Sequence, residues 1–164
     1  NQRKGYAALF KKQNTRMTLD DVLEALSERE VFAPIMIMPF LPDEEISVDC
    51  LDTKKGLIAL PRVKGYDKYE TIRYDNEILE LCETFQSKAK LKCPYNIQFK
   101  YLGGVPYFLE VNTRMSGGIH MACYASGVNI PQIALQKLLG MESEWMNKRE
   151  IKIIAQILQP VAIE

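Results

Sequence analysis

One short tract of this chain gathers side chains suited to holding a charged ligand. Gln98 lies in Asn96-Ile97-Gln98-Phe99-Lys100-Tyr101, and Glu110 and Asn112 lie in Tyr107-Phe108-Leu109-Glu110-Val111-Asn112, with Arg114 close behind. Both runs read as strands joined around Gly103-Gly104. Two registers compete. A two-residue Gly-Gly turn would place Leu102 opposite Val105 and Gln98 opposite Leu109. A three-residue loop, Gly103-Gly104-Val105, would place Gln98 opposite Glu110 and Asn96 opposite Asn112. Only the second collects Ile97, Phe99 and Tyr101 with Val111, Leu109 and Tyr107 on one apolar face, so burial favours it.

That register carries a chemical consequence. It sets the side-chain oxygens of Gln98, Glu110 and Asn112 on one face, with Arg114 continuing the alternation. Oxygen donors with few formal charges suit Mg²⁺, which takes one or two carboxylates and completes its shell with phosphates and water. A nearby guanidinium grips phosphate through forked hydrogen bonds. Metal and arginine together would stabilise charge on a phosphoryl group in transit. The residues alone thus propose a Mg-nucleotide site.

The rest of the chain must position that tract. Its 164 residues suffice for one domain with a real core, taken as a single unit over residues 1–164. Lys plus Arg number 21, as do Asp plus Glu, so no global field draws the chain to nucleic acid or an anionic membrane. No apolar run approaches the roughly 18 residues of a membrane span. Four cysteines are scattered without a Cys-x-x-Cys pair, so they read as reduced core thiols rather than zinc ligands, and that usage points to the cytoplasm. The chain opens at Asn1-Gln2-Arg3-Lys4 without a Met, and we expect it to be a segment of a longer protein.

Tyr6 to Phe10 reads as a short strand. Thr18 should cap a helix with Leu19, Val22, Leu23 and Leu26 on its buried face. Pro34 to Leu41 is apolar and short enough for a buried strand. Glu45 to Leu51 alternates, with Ile46, Val48 and Cys50 on one side and Glu45, Ser47 and Asp49 on the other. Thr53 to Gly56 turns it into a partner, Leu57 to Val63. Lys64 to Tyr74 reads as a polar loop. Asp75 should cap a helix that buries Ile78, Leu79, Cys82, Phe85 and Ala89. Gly117-Gly118 leads to a short helix ended by Gly127. Pro131 opens another, with Ile133, Ala134, Leu138 and Leu139 inward and Gly140 as its stop. Glu150 to Leu158 would be a closing strand. The expected class is α+β, a mostly antiparallel sheet with helices packed on one face.

Several tracts carry a resemblance. Phe40-Leu41-Pro42-Asp43-Glu44-Glu45-Ile46-Ser47-Val48-Asp49, Leu60-Pro61-Arg62-Val63, Asn96-Ile97-Gln98 and Phe108 through Gly118 match the ATP-grasp fold in order and spacing. The run from about Gly5 to Gly140 resembles that fold as found in carbamoyl-phosphate synthetase large subunits, biotin carboxylase and D-alanine–D-alanine ligase. Its flavour is that of the carbamoyl-phosphate-synthetase-like members of bacterial gene clusters.

The resemblance implies that Gln98, Glu110 and Asn112 are ligands for Mg²⁺ (or Mn²⁺), with Glu110 bridging two ions. It makes Arg114 a phosphate contact and Arg62 a basic group near the transferred phosphate or the acyl-phosphate product. Met38, Pro39, Phe40 and Leu41 would be the hinge that grips adenine, the C=O of Pro39 accepting from the exocyclic amine and the N–H of Leu41 donating to a ring nitrogen. Proline keeps its carbonyl, so Pro39 does not forbid this. Glu45 would hold the ribose hydroxyls; the role of His120 stays open.

The implied activity is that of an ATP- and Mg-dependent ligase. Such an enzyme phosphorylates a carboxylate or bicarbonate and lets an amine displace the phosphate. The alternative is an ATP-binding module without turnover. The family's earlier strand, its phosphate-binding Lys or Arg and its Gly-rich loop have little counterpart in Arg3-Lys4-Gly5, and the preceding substrate domain is absent. The nucleotide- and Mg-binding half alone is therefore expected to be inactive and to work with other domains of its parent chain.

Overall fold

The computed structural model describes residues 6–9, 17–65, 69–141, 144–146 and 152–155. The chain divides into two compact units, Asn1–Pro39 and Phe40–Glu164.

In the first unit, helix α1 runs Leu19–Ser27 behind the expected cap. Thr18 Oγ1 accepts from the Asp21 N–H at 3.1 Å, and Asp21 Oδ2 accepts from the Thr18 N–H at 3.3 Å. This reciprocal box satisfies two amides that a helix start leaves without partners. The face it buries differs from expectation, for Ala25 is covered while Leu19 and Leu23 are exposed. The unit's other described element is a single 3-10 turn, Tyr6–Ala8, too small to cover a helix face. That turn replaces the strand expected from Tyr6; Phe10 lies outside the described residues. Its Tyr6 N–H donates to Glu28 Oε2 at 2.9 Å, and the Arg29 guanidinium sits 4.4 Å above the Tyr6 ring. These contacts from the end of α1 favour a tight turn over an extended backbone.

The Pro34 to Leu41 strand does not form. Met36 and Ile37 are exposed and only Leu41 is buried. A strand exists by pairing with a neighbour, and among the described residues none pairs with this stretch.

The second unit is built on a six-stranded sheet in the order β5-β4-β1-β2-β3-β6, with every neighbouring pair antiparallel. Its strands are β1 Glu45–Thr53, β2 Gly56–Lys64, β3 Tyr69–Ile72, β4 Tyr95–Leu102, β5 Val105–Asn112 and β6 Lys152–Ala155. The α+β class and the antiparallel sheet are as the sequence leads one to expect. β3 falls where a polar loop was expected: Ile72 alone of its four residues is fully buried, so the segment carries little hydrophobic signal, yet it bridges β2 and β6. Of the closing strand, Lys152–Ala155 is seen, and 150–151 and 156–158 lie outside the described residues.

Helices cover both faces of the sheet rather than one. Helix α2 (Asn76–Ala89) packs Ile78 and Cys82 onto Ile46, Val48, Cys50, Ala59 and Ile97. Helices α3 (Ile119–Ser126) and α4 (Ile130–Leu138) pack Ala122, Ala125, Ile130 and Ile133 onto Leu51, Ile58, Leu60 and Ile72. Alternate residues of β1 and β2 therefore enter separate cores. Asp75 caps α2 as expected, accepting from the Glu77 N–H at 3.0 Å; α4 starts at Ile130, one residue before the expected Pro131, and Asn129 caps it by accepting from the Gln132 N–H at 3.1 Å. The inward faces need trimming, since Ala89, Leu138 and Leu139 are exposed where the helices outrun the sheet. Cys50 and Cys82 are core residues, whereas Cys93 is exposed. Among the described residues no helix is long and apolar enough to cross a membrane.

Candidate nucleotide and metal site

The hairpin β4–β5 uses both registers, each at one end. At its tip Gly103 and Gly104 stand at φ 60° and 81°, the left-handed pair that a two-residue primed turn requires, and Leu102 faces Val105. At its base Gln98 faces Glu110 and Asn96 faces Asn112. A bulge between Gln98 and Phe99 reconciles them, because Phe99 faces Phe108 and Leu109 is left as the extra residue. The apolar face changes accordingly. Phe108, not Tyr107 or Leu109, joins Phe99, with ring centroids 6.2 Å apart, and stacks on Phe85 of α2 at 6.0 Å. Tyr107 instead faces Lys100.

Paired residues on adjacent strands point to the same side, so Gln98, Glu110, Asn96 and Asn112 share one face. Asn112 Nδ2 donates to Glu110 Oε1 at 2.8 Å, which brings two of the three expected ligands together. Among the described residues, the Gln98 amide, the second carboxylate oxygen of Glu110 and Oδ1 of Asn112 have no hydrogen-bond partner. Nor do any three His, Cys, Asp or Glu side chains converge to hold a metal. The donor set is thus one carboxylate and two amide oxygens. It fits a hard cation that takes its remaining charge and ligands from phosphate and water, and does not fit a closed all-protein cage.

Across the sheet the same face continues into β1 and β2. Gln98 pairs with Ser47, Asn96 with Asp49, and Ser47 with Arg62. Nothing in the strand alternation marks these polar groups for burial, yet Ser47, Asp49, Arg62 and Asn96 are each at most 2% exposed. They satisfy one another. Asn96 Nδ2 donates to Ser47 Oγ, Val48 O and Asp49 Oδ1 at 3.0, 3.1 and 3.2 Å. Arg62 donates through Nε to Asp49 Oδ2 at 3.2 Å, through Nη1 to Glu70, and through Nη2 to Ser116 Oγ at 2.9 Å and Ser47 Oγ at 3.4 Å. Arg62 is therefore enclosed by protein oxygens instead of presented to a ligand.

The remaining candidates take no part in this hydrogen-bonded cluster. Arg114 lies beyond the end of β5, so the strand alternation does not reach it; it is exposed, and its Nη1 donates to the Met115 carbonyl at 3.1 Å. Glu45 is ion-paired with Lys64 and faces Lys100, whose Nζ is 5.8 Å from the exposed Phe40 ring. The neighbouring Glu44 grips Arg73, with Nη1 to Oε2 at 3.1 Å, and that bond raises the arginine's pKa against the opposing effect of burial. Leu41 is buried with its N–H bonded to no described residue. Phe40 and Leu41 belong to the second unit, and Met38 and Pro39 to the first. His120 is exposed on α3. Ser47, Asp49, Asn96, Ser116 and Lys64 went unnoticed as site neighbours. Strand alternation placed Ser47 and Asp49 on the right face, and only their burial marks them out.

Known proteins resemble this chain in sequence and in fold. A family described as "ATP-grasp in the biosynthetic pathway with Ter operon" matches residues 31–160. The carbamoyl phosphate synthase large chain of Caldanaerobacter subterraneus subsp. tengcongensis is 26% identical, over 80% of this chain and 14% of that protein. That of Pyrococcus furiosus is 25% identical, over 79% of this chain and 13% of that protein. The chain therefore spans about a seventh of the length of these relatives. Among solved structures, the biotin carboxylase domain of Hydrogenobacter thermophilus 2-oxoglutarate carboxylase, in complex with MgADP, ADP and bicarbonate, superposes with a TM-score of 0.53. It is 16% identical, over 66% of this chain and 27% of its own, and shares the fold. With most of its length matched by that family, and its sheet by a structural neighbour, the chain belongs to the ATP-grasp family.

Proposed function

We propose that the protein containing this chain is an ATP-dependent ligase that activates a carboxylate or bicarbonate as an acyl phosphate for attack by an amine. The observation that carries this reading is the shared face of Gln98, Glu110 and Asn112, which offers open oxygen donors beside a buried polar floor. Bound there, Mg²⁺ or Mn²⁺ would neutralise phosphate charge and hold the triphosphate in line.

The chain's own residues then have distinct tasks. Glu110, with Gln98 and Asn112, fixes the cation. Arg114 is exposed and flexible enough in reach to exchange the Met115 carbonyl for a phosphate oxygen, a stronger charge-assisted bond. Leu41 would offer its N–H to adenine, and Phe40 its ring face. Of the hinge, Met38 and Pro39 are assigned by resemblance alone. Glu45 would leave Lys64 to take the ribose hydroxyls. In the chemistry, a carboxylate oxygen attacks the terminal phosphorus, the bond to the bridging oxygen breaks, and ADP departs. An amine then adds to the acyl carbon, loses a proton, and expels phosphate. No protein nucleophile is required; positioning and charge stabilisation suffice. The small-molecule carboxylate and amine are recognised by parts of the parent protein, and no membrane or nucleic acid enters the scheme.

Thermal unfolding of the full-length protein with Mg-ATP, and with ATP plus chelator, tests the site. Ligand at about 100 times its dissociation constant should add roughly 2.7 kcal/mol of stability, and chelation should remove most of it. Glu110→Gln should abolish Mg-dependent ADP release. Release at the unaltered rate would sink the catalytic reading, and Mg-ATP binding without any release in the parent would favour a holding module.

A further inference from the structure

Arg62 has the wrong surroundings for a phosphate ligand. Its side chain is 3% exposed and the guanidinium meets two carboxylates, Asp49 and Glu70, so an incoming phosphate would face their repulsion. Its surroundings do suit another task. Nη2 reaches out of the sheet to Ser116 Oγ at 2.9 Å, in the loop that follows β5. A Cβ at Gly118 would lie 2.1 Å from Nη1 and 2.6 Å from Cζ, so the loop backbone is seated directly on the guanidinium. That loop carries Arg114, two residues after Asn112. Through Asp49 the same cluster reaches Asn96, which pairs with Asn112.

We infer that Arg62 is a positioning residue: it pins the Ser116–Gly118 loop to the sheet and thereby sets where Arg114 stands relative to the oxygens of Glu110 and Asn112. The requirement for glycine at 118 follows from contact with Arg62, since the backbone there is not in the left-handed region. Lysine cannot replace the arginine fully, because a single ammonium lacks the fork that serves the sheet and the loop at once. This inference rests on the proposed ligase reading for its kinetic consequence, and on geometry alone for its structural one.

The test is a double-mutant cycle in the full-length protein, with Arg62→Lys, Gly118→Ala and both together, and Ser116→Ala as the mildest perturbation. Mg-ATP-dependent ADP release and urea midpoints are measured for all. Gly118→Ala alone should lower kcat by about tenfold or more, with the KM for Mg-ATP changed by less than about threefold, as misplacement of a transition-state contact predicts. In the Arg62→Lys background the same substitution should cost less than about twofold, because the atoms it strikes are gone. Ser116→Ala should lower kcat in the same direction while leaving the urea midpoint nearly in place.

Equal effects of Gly118→Ala in both backgrounds would overturn the inference. So would a rise in KM with kcat intact, which would make Arg62 a nucleotide contact. A parent protein that releases no ADP with Mg-ATP defeats the ligase reading instead. The urea midpoints still decide the coupling in that case: Gly118→Ala must destabilise the wild type more than the Arg62→Lys protein.

Discussion

Deleting one residue from β5 should be nearly harmless at Leu109 and severe two positions later at Val111. The bulge leaves Leu109 without a cross-strand partner. Removing it lets Phe108 face Phe99 and Glu110 face Gln98 on a continuous ladder, so every pairing below and above survives. The half-buried Leu side chain is lost, worth about 1 kcal/mol, and a regained ladder hydrogen bond offsets about the same. Deleting Val111 leaves no such solution. If the bulge persists, Asn112 moves opposite Ile97. If the bulge is consumed instead, Glu110 does. Either polar group then points at the core that α2 covers, where Ile97 is fully buried. The lost valine costs about 1.5 kcal/mol and the stranded polar group about 1–3 kcal/mol, so roughly 2.5–4.5 kcal/mol in all. Urea denaturation, followed by far-UV circular dichroism and by the single tryptophan, Trp145, reads the difference. The midpoint should fall by about 1–2 M for the Val111 deletion and by less than about 0.5 M for the Leu109 deletion. Mg-ATP protection should survive only the latter. Equal losses from both deletions would refute the bulge as the device that puts Glu110 on the face of Gln98.

Two further outcomes follow from the same coordinates. Burial raises the pKa of the Cys50 thiol, with Cys82 adding to it, and burial raises that of Tyr95. Both groups hold their protons more tightly folded than unfolded, so their contribution is complete below the unfolded values near 9 and 10 and is lost as pH rises beyond them. The unfolding free energy from urea denaturation should therefore decline above about pH 9, by up to about 1.4 kcal/mol per pH unit for each group, and Cys50→Ala should flatten that decline; an unchanged slope would show that another group drives it. At the hairpin tip, Gly104 has φ 81° and open space around its missing Cβ, so Gly104→Ala should cost only the backbone penalty of about 1–2 kcal/mol. Gly103→Asn should cost less, since asparagine tolerates that region, and a reversed order of the two midpoints would exclude a primed turn.

How far the sequence could be read depended on whether a local signal and its tertiary consequence agreed. Thr18, Asp75 and Pro131 announced helix starts because capping is a contest among a few neighbouring backbone groups. The strands β1 and β2 were legible for the same local reason, through alternation and a turn. Alternation states which residues share a side, however, and not what covers that side. Ser47, Asp49 and Asn96 were placed on the right face and would ordinarily be solvated there. They are buried because α3 and the loop before it close over the sheet, a fact set by residues about 70 positions downstream of Ser47 and Asp49. The apolar Pro34 to Leu41 run erred in the opposite sense, since composition marked it for burial and no described strand pairs with it.

The hairpin bearing Glu110 joins both lessons. Gly103-Gly104 demands a two-residue turn, and the polar and apolar faces at the base demand the register of a three-residue one. Treated as rivals, one had to be discarded. A strand has a strict period of two, so a single rigid register cannot satisfy a tip and a base that differ by one residue. The contradiction was itself the signal that one residue of β5 lies outside the ladder. It had to fall between the last pair fixed by the turn and the first pair fixed by the oxygen donors, which leaves the stretch from Phe108 to Glu110. Glu110 is tied to Gln98 and Phe108 is held by the rings of Phe85 and Phe99, so the residue excluded is Leu109. A conflict between two sound local rules thus locates the irregularity that brings the carboxylate to the site.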